Sequence, residues 1–181
     1  MSNYKNPAGT EPPDHAIGRS RGGLTTKVHL AADGRGRPLA VLVTAGNVND
    51  TTMMAAVLDL IAVARTGPGR PRTRPDRVLA DKGYPSRANR RYLAARGIPA
   101  TIPEKADHAA GRLRRGSRGG RPPGFDPAAY RQRNTVERCF NRLKQWRGIA
   151  MRSDKTARAY RAGIALAATL VWIKTDLINT A

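Results

Sequence analysis

The sequence predicts an α/β fold in which helices pack against a mixed β-sheet. Strand-like and helix-like segments follow each other in the order strand, strand, helix, strand, helix, strand, loop, helix, helix. The helix-like segments repeat apolar residues at spacings of three and four, and the strand-like segments are short apolar runs bounded by turn residues. At 181 residues, the chain is long enough for one domain with a buried core. Helices covering a sheet are the expected architecture for this pattern.

The first two strands are predicted to form an antiparallel hairpin. Residues 24–32 (LTTKVHLAA) are rich in strand-forming types, and residues 40–45 (AVLVTA) are a second apolar run. Residues 33–36 (DGRG) lie just after the first run and supply turn chemistry for a longer hairpin loop. His29 is a lone histidine within the first strand, and a structural role is more typical of such a residue than metal ligation.

A polar segment, GNVNDTT, ends the second strand and opens a helix. Asp50 or Thr51 is predicted to cap this helix through its side-chain oxygen. Asn47 and Asp50 have two interpretations, because they can reach a site at the strand end or serve only the turn and the cap. The apolar face of the helix follows the three- and four-residue spacing and consists of Met53, Met54, Val57, Leu58, Ile61 and Ala62.

The next strand places an acid where α/β proteins often hold functional groups. Residues 77–80 are predicted to form a short strand, and Asp81 stands at its C-terminal end before a turn at Gly83. In open α/β sheets, ligand-binding and catalytic groups collect at this end of the strands. A helix over residues 86–96 and a strand over residues 98–102 are predicted to follow.

Two segments are predicted to be loops rich in arginine. Residues 1–23 combine prolines with the basic run GRSRGG, whose Arg19 and Arg21 either contact phosphate or belong to a flexible lead-in. Residues 104–125 hold few apolar anchors, and we expect them to be mobile until they meet a backbone phosphate. The arginines of this second segment are Arg112, Arg114, Arg115, Arg118 and Arg121.

The following helix is predicted to begin near the capping pair Asp126-Pro127 and to end by Gly148, and between Tyr130 and Lys144 it gathers its reactive side chains on one face. At about 100° per residue, Tyr130, Arg133, Glu137 and Lys144 share an arc of about 60° over four turns. Packing of a separate apolar stripe can hold this face in place, although an amphipathic surface helix with a solvated basic face fits the same geometry. The stripe consists of Val136, Phe140 and Leu143. A last helix is predicted from Thr156 to Asn179.

The charge of the chain points to a polyanionic partner. Lysine and arginine number 33 against 13 acids, which gives a formal net charge of +20. Aromatic residues make up only 5% of the chain, so contact with duplex phosphates fits better than stacking on single strands. Cys139 is the single cysteine, which excludes an internal disulfide. Without the apolar core of a signal peptide or a run long enough to cross a bilayer, the chain is expected in the cytoplasm, near the nucleoid, and away from membranes.

These residues resemble the catalytic part of bacterial insertion-sequence DDE transposases. The branch in question carries a Tyr-(2)-Arg-(3)-Glu-(6)-Lys signature, and Tyr130, Arg133, Glu137 and Lys144 match its spacing without a gap. The DKGY run that begins at Asp81 is similar to the family's second-aspartate motif. The run GNVND resembles the strand-three motif, and GRSRGG with LTTKVHL is similar to the segment before it. The match extends from about residue 15 to the C-terminus.

The resemblance implies a ribonuclease-H-like fold and cleavage and joining of DNA strands at transposon ends. Asp81 and Glu137 correspond to the second and third catalytic carboxylates, which would bind Mg²⁺ or Mn²⁺. Arg133 and Lys144 correspond to contacts with terminal DNA or its phosphates, and Tyr130 lies beside them. The implied partners are double-stranded DNA, both transposon terminal repeats and target, and further copies of the chain when two ends are joined.

The sequence departs from the family at the first catalytic aspartate. That residue is expected on a central strand upstream of GRSRGG, and neither Asp14, in a Pro-Pro-Asp-His loop, nor Asp33, in the hairpin turn, is a convincing substitute. In the family's sheet this strand lies between the hairpin and the Asp81 strand, so its loss would leave two unpaired edges. We therefore expect a lead-in over residues 1–23 and, over residues 24–181, a catalytic domain without its first strand.

Two explanations for the missing strand and two further functions stay open. The chain could be a truncated remnant or a second reading frame completed by frameshifting. A basic remnant without activity would still bind duplex DNA and could hinder a full-length relative. A ribosomal-type RNA-binding protein would explain the charge, but not the placement of Asp81 and Glu137 together with the signature.

Overall fold

A computed structural model describes residues 13–178 as a mixed α/β structure. Strands β1, β2 and β3 form an antiparallel sheet in that order, and β4 and β5 form a separate parallel pair. The strands are β1 (Gly18–Ser20), β2 (Gly23–Ala32), β3 (Pro38–Ala45), β4 (Val78–Leu79) and β5 (Ala100–Thr101). The α-helices are α1 (Met54–Asp59), α2 (Arg87–Ala95), α3 (Ala106–Arg114), α4 (Pro127–Tyr130), α5 (Asn134–Lys144), α6 (Arg147–Met151) and α7 (Ala157–Ile178).

The predicted hairpin is confirmed by the pairing of β2 with β3. Their register runs from Thr26 opposite Ala45 to Ala32 opposite Pro38. Asp33 organises the turn, because its Oδ1 accepts hydrogen bonds from the backbone nitrogens of Arg35 at 3.0 Å and Arg37 at 2.9 Å. An aspartate followed by glycine at the end of a strand thus closes the hairpin through its own side chain.

The lead-in, predicted to be a loop, contains a strand. Gly18–Ser20 forms β1 and pairs antiparallel with the first residues of β2, from Gly18 opposite Thr25 to Ser20 opposite Gly23. The loop prediction is wrong here because the chain's first three prolines end at Pro13, so β1 keeps its backbone donors. Gly23 has a φ of 105°, a conformation that glycine adopts freely, and this permits the tight reversal between the two strands. Residues 1–12 lie outside the described part.

Two hydrophobic clusters cover the two faces of the hairpin. One cluster centres on α1 and α2 and includes Val57, Leu58 and Leu93, with Ala31 of β2 packed against it. The other centres on α5 and α7, with Val28 and other alternate residues of β2 and β3 packed against it. Because successive residues of a strand point to opposite faces, one hairpin serves both clusters. The predicted covering of a sheet by helices is confirmed.

The parallel pair β4–β5 is shorter than the two predicted strands. Val78 pairs with Ala100 and Leu79 with Thr101, and α2 connects the two strands as predicted. Ser86 caps α2, since its Oγ accepts from the backbone nitrogen of Asn89 at 3.1 Å. Among residues 13–178, no strand joins this pair to the hairpin sheet. The ribonuclease-H-like assignment and the domain boundaries stay predictions.

Residues 104–125 are not the continuous loop that the sequence analysis predicts. They contain α3 and a 3₁₀ turn, Gly116–Gly119. The helix has Asp107 in its first turn and Arg112 in its last turn, which complements the helix dipole. Arg112 also pairs with Glu104 at 3.0 Å. The loop prediction is wrong because the arginines act here as helix residues.

The signature segment, predicted to be one helix, is interrupted. A 3₁₀ turn, Arg131–Arg133, separates α4 from α5. Asp126 caps α4, since its Oδ1 accepts from the backbone nitrogen of Ala129 at 3.0 Å, as predicted from the Asp-Pro pair. The final helix begins one residue after the predicted Thr156, whose Oγ1 accepts from the backbone nitrogen of Ala159, and its predicted end, Asn179, lies outside the described residues. None of the described helices is both long and apolar enough to span a membrane.

Candidate active-site cleft

The predicted catalytic acids Asp81 and Glu137 line the same cleft. The cleft has a volume of about 400 Å³ and lies between β2, α1, the β4 segment and α5. Asp50 lines it as well, so acids from three separate parts of the chain face one space. The other polar residues of its lining are Lys27, His29, Arg77, Tyr84 and Arg133.

Asp81 lies directly after β4 in a turn that its own side chain stabilises. Its Oδ1 accepts a hydrogen bond from the backbone nitrogen of Gly83 at 2.7 Å. A Cβ added at Gly83 would lie 2.8 Å from the same oxygen, so a larger residue would displace the carboxylate. Tyr84 closes the turn and is partly buried. Burial, with added effects of Asp50 and Asp81, raises the pKa of Tyr84 to about 12, which keeps its hydroxyl protonated.

Asp50 begins a 3₁₀ turn, Asp50–Met53, that precedes α1. The predicted cap at Asp50 or Thr51 is wrong, because the side chain of Asn49 accepts from the backbone nitrogen of Thr51 at 3.1 Å. Asp50 instead pairs with Lys27 of β2, with 2.9 Å between Nζ and Oδ1. Asn47 is not part of the cleft lining. Its Oδ1 lies against Gly18, where an added Cβ would approach it to 2.3 Å.

Two residues outside the predicted set hold the Asp50 and Asp81 segments together. The hydroxyl of Thr51 donates to the carbonyl of Gly83. Asn89 is buried, and its amide donates to the carbonyls of Thr51 at 2.9 Å and Tyr84 at 3.1 Å. Nothing in the local sequence marks Asn89, since an asparagine among arginines on a helix gives no sign of burial. Its contacts fix the relative position of the two turns that carry the acids.

Glu137 projects into the cleft from the first turns of α5. Arg133 forms an ion pair with it and lines the cleft too. The guanidinium of Arg133 lies 5.8 Å from the ring centroid of Tyr130, and that ring contacts Phe125 at 5.2 Å between centroids. Tyr130 and Lys144 are absent from the cleft lining. Lys144 is exposed and is the last residue of α5. Of the four signature residues, two therefore line the cleft and two lie outside its lining.

The acids of the cleft do not form a divalent-metal site among the described residues. Carboxylates are the ligands that Mg²⁺ prefers, and Asp50, Asp81 and Glu137 all face the cleft. Each has a protein partner already: Lys27, the backbone nitrogen of Gly83 and Arg133, respectively. Over residues 13–178, no three acidic, histidine or cysteine side chains lie close enough together to hold a metal ion. The side chains present therefore do not fit a complete metal centre.

Basic side chains continue from the cleft into a neighbouring cavity. A second cavity, of about 480 Å³, shares Arg77, Arg133 and Val136 with the cleft. Its lining also contains Arg37, Arg72 and Arg74. Arg37 pairs with Asp33 and stacks 4.1 Å from the ring centroid of Trp172. Arg19 and Arg21 are exposed on the opposite end of the hairpin sheet, in β1 and its turn, and line neither cavity.

His29 gives the cleft a testable pH dependence. It is 5% exposed, and its Nε2 lies 2.8 Å from Thr44 Oγ1. Burial lowers the pKa of His29, nearby Asp50 opposes this effect, and Lys27 adds to it. Below pH 6.5, the ordinary histidine pKa, the unfolded chain takes up a proton that the folded chain excludes. The stability that neutral His29 contributes is therefore present above pH 6.5 and is lost as pH falls through the lower folded pKa.

We expect the free energy of unfolding to decrease from pH 7 to pH 5, and to decrease less in a His29→Gln variant. Urea denaturation at several pH values measures how the free energy of unfolding changes with pH in the unmodified chain and in the variant. Replacement of His15, a partly buried histidine outside the cleft lining, by glutamine is the matched control. If the free energy of unfolding of His29→Gln changes with pH as much as that of the unmodified chain, the pH dependence belongs to other groups.

Comparison with known proteins finds matches by sequence, although no solved structure matches the chain. The family model described as "Transposase DDE domain" matches residues 5–172. A protein of Burkholderia cepacia named as a transposase for insertion sequence element IS402 is 33% identical over 164 residues, which cover 90% of this chain and 67% of that protein. A Brucella ovis protein named as a transposase for insertion sequence element IS6501 is 28% identical over 151 residues, which cover 83% of this chain and all of that protein. The chain therefore belongs to the DDE-domain transposases of insertion sequences.

Proposed function

We propose that the chain is the catalytic part of a DNA transposase, which cleaves DNA strands at insertion-sequence ends and joins them to a target. The observation that carries the proposal is the shared cleft of Asp81 and Glu137 in a member of the DDE transposase family. Asp81 and Glu137 are the proposed catalytic carboxylates, with Asp50 in support. Mg²⁺ or Mn²⁺ is the proposed cofactor, once the site gains the ligands that the described residues lack.

The proposed substrate is double-stranded DNA, at both the terminal repeats and the target. The net charge of +20 favours the binding of any polyanion. The arginine-lined cavity beside the cleft indicates where on the chain DNA would bind. A duplex that enters along this cavity would bring a phosphate group towards Asp81 and Glu137. The proposed DNA contacts are Arg19, Arg21, Tyr130, Arg133 and Lys144. Because two ends are joined to one target, we also propose that the active form is a homo-oligomer bound to DNA in the nucleoid.

Arg133 has two successive roles in this proposal. In the absence of DNA it neutralises Glu137, and the ion pair keeps one carboxylate from repelling its neighbours in the cleft. An arriving phosphate competes for the guanidinium, since arginine binds phosphate and carboxylate oxygens in the same way. Transfer of Arg133 from Glu137 to DNA would then release the carboxylate for its catalytic role.

One observation favours a second function, DNA binding without catalysis. The acids of the described chain do not form a metal site, whereas the arginines of the neighbouring cavity need no metal to bind phosphate. A chain that only binds transposon ends would compete with a complete transposase for them. Strand cleavage separates the two functions.

Replacement of Lys144 by alanine is expected to weaken duplex binding several-fold at low salt without unfolding the domain. The lysine is exposed at the end of α5 and contributes nothing to the cluster around Leu143, so only its charge is lost. Titration by fluorescence anisotropy measures the affinity, and far-UV circular dichroism checks the fold. Lys155→Ala, an exposed lysine in the loop before α7, is the control. A loss of helical signal in Lys144→Ala would place Lys144 in the core instead.

Cleavage of a labelled duplex in Mn²⁺ tests the proposed reaction. The duplex carries the ends of element IS402, and the reactions contain the chain alone or the chain with the part of the Burkholderia relative that lies outside the alignment. We expect little nicking by the chain alone, and nicking in the combined reaction that Glu137→Gln abolishes. Binding without nicking in both reactions would establish the DNA-binding alternative. Efficient nicking by the chain alone would mean that its acids suffice.

A further inference from the structure

A third cavity, of about 570 Å³, lies between the hairpin turn, α5 and α7. Among residues 13–178, it shares no lining residue with the cleft or with the cavity beside the cleft. Arg142 lines it from α5, at a position about 140° around the helix from that of Glu137. The third cavity is therefore separate from the proposed catalytic site, although the same helix contributes to both.

The charges around the third cavity are not balanced. Arg35, Arg142 and Lys174 line it, and no aspartate or glutamate of the described chain does. None of these three side chains forms an ion pair or a hydrogen bond within the part of the chain that the structure describes. The cavity beside the cleft differs, because Arg37 and Arg72 each pair there with an aspartate. Three cations without counter-charges around one cavity favour an anion with several charges.

The three cations come from different elements and meet at one place. Arg35 lies in the hairpin turn, whose backbone is held by the carboxylate of Asp33 at 3.0 Å. Arg142 of α5 lies against the same turn, since a Cβ added at Gly36 would be 3.3 Å from its Nη2. Lys174 reaches the cavity from α7. Their convergence distinguishes this cavity from a row of charges along one exposed helix.

An exposed indole ring supplies a second kind of contact. Trp146 lies directly before α6, lines the third cavity and is 45% exposed. Within residues 13–178, its ring stacks on no other group and its indole nitrogen has no hydrogen-bond partner. Trp172 differs, because Arg37 covers its ring and its indole nitrogen donates to the carbonyl of Pro38. An open indole beside unpaired cations favours a ligand that combines a planar ring with phosphate groups.

The size and lining of the third cavity fit a small molecule. Small-molecule sites typically have volumes of about 300–1,000 Å³ and apolar linings with a few polar groups. Ala167, Leu170 and Val171 form the apolar part of this lining. In a DNA duplex the bases are stacked inside the helix, so a duplex offers no free ring face to Trp146. A free nucleotide offers both the ring and the phosphates.

We infer that the third cavity binds a free nucleoside di- or triphosphate. Its phosphates contact Arg35, Arg142 and Lys174, and its base stacks on Trp146. The bound nucleotide connects the hairpin turn, α5 and α7, and it stabilises the packing of the helix that carries Glu137, because a ligand that binds only the folded chain favours that state. The site thus makes the stability of this region depend on nucleotide concentration. The inference does not depend on the reaction proposed for the cleft.

Isothermal titration calorimetry of the full chain with ATP tests the inference. The titration contains EDTA and about 200 mM salt, at which non-specific contacts with phosphate are weak. We expect saturable binding, weakened about tenfold in Arg142→Ala and in Lys174→Ala, because each variant loses a charged hydrogen-bond donor. Arg138→Ala, an exposed arginine of α5 outside the cavity lining, is the control and should change the affinity less than twofold. Equal affinities in all three variants would mean that ATP binds the basic surface at random, which would overturn the inference.

Variants of Trp146 distinguish a nucleotide from other polyanions. Trp146→Ala is expected to weaken ATP binding about tenfold, because base stacking is lost, and Trp146→Phe should restore most of the affinity. Inorganic tripolyphosphate carries the charges without a base, so its affinity should not change in Trp146→Ala. An unchanged ATP affinity in Trp146→Ala, or an equal loss for tripolyphosphate, would contradict the assignment of the base to this ring.

The same variants separate a free nucleotide from DNA. Fluorescence anisotropy with a labelled duplex should give Trp146→Ala the affinity of the unmodified chain, because no charge is removed. A duplex affinity that falls together with the ATP affinity would assign the third cavity to DNA and overturn the inference. Circular dichroism checks the fold of each variant. If Arg142→Ala does not fold, Lys174→Ala, at an exposed position of α7, still decides the result.

Discussion

Raising the salt concentration from 50 to 200 mM is expected to weaken duplex DNA binding by this chain about a thousandfold. Each phosphate that a lysine or arginine neutralises releases condensed counterions, and this release becomes less favourable as salt is added. About six such contacts produce a loss of this size. The chain can supply them, because the cavity beside the cleft is lined by Arg37, Arg72, Arg74, Arg77 and Arg133, and because 33 basic residues face only 13 acids.

Fluorescence anisotropy with a labelled duplex at five salt concentrations measures this dependence. The logarithm of the association constant should fall linearly with the logarithm of the salt concentration, and its slope gives the number of phosphates contacted. An Arg74→Ala variant should reduce the slope by about one contact, whereas Arg91→Ala, an exposed arginine on α2 outside both cavities, should leave it unchanged. A flat dependence would show that the basic surface does not bind DNA through its phosphates.

The parts of the fold with strong local signals could be predicted from the sequence. The hairpin follows from two apolar runs joined by Asp33, whose side chain closes the turn. The helix α2 follows from Ser86 at its start and Gly97 just after its end, where φ is 61°. In each case a few neighbouring residues determine the local structure, so tertiary contacts change it little.

Prediction from the sequence is wrong where contacts with neighbouring elements determine the structure more strongly than local composition does. Gly18–Ser20 reads as a basic loop, yet pairing with β2 makes it a strand. The arginine-rich residues 104–125 read as a mobile loop, yet Ala106–Arg114 is helical and Arg112 is tied to Glu104. The signature helix is broken by the 3₁₀ turn at Arg131–Arg133. An ideal helical wheel therefore describes α5 but not the position of Tyr130, which lies before the break.

The residues of the candidate site that carry a motif, the acids and Arg133, could be predicted from the sequence. Asp81 and Glu137 are marked by motif and spacing, and the structure places both along one cleft. The residues that fix the segments of Asp50 and Asp81 could not be predicted, because Lys27 and Asn89 come from distant parts of the sequence and meet the site only through the fold.

Replacement of Ile164 by alanine is expected to lower the free energy of unfolding by about 3 kcal/mol, within the range of about 2–5 kcal/mol for large buried aliphatic residues. Ile164 of α7 is fully buried in the cluster that holds α5 against the hairpin, together with Cys139 and Leu143. The loss combines the transfer free energy of the missing methyl groups with the cavity that rigid neighbours leave behind. Because α5 carries Glu137, we also expect weakened packing to loosen the cleft at moderate temperature.

Leu166→Ala is the control, two residues further along the same helix. Leu166 is 67% exposed, so its truncation should change the free energy of unfolding by less than about 0.5 kcal/mol. Urea denaturation followed by circular dichroism should give the same slope for both variants and a lower midpoint for Ile164→Ala alone. Equal losses would mean that the outer face of α7 is covered as well. Equal small losses would mean that the cluster beneath α5 does not hold that helix, and the position of Glu137 would then need another support.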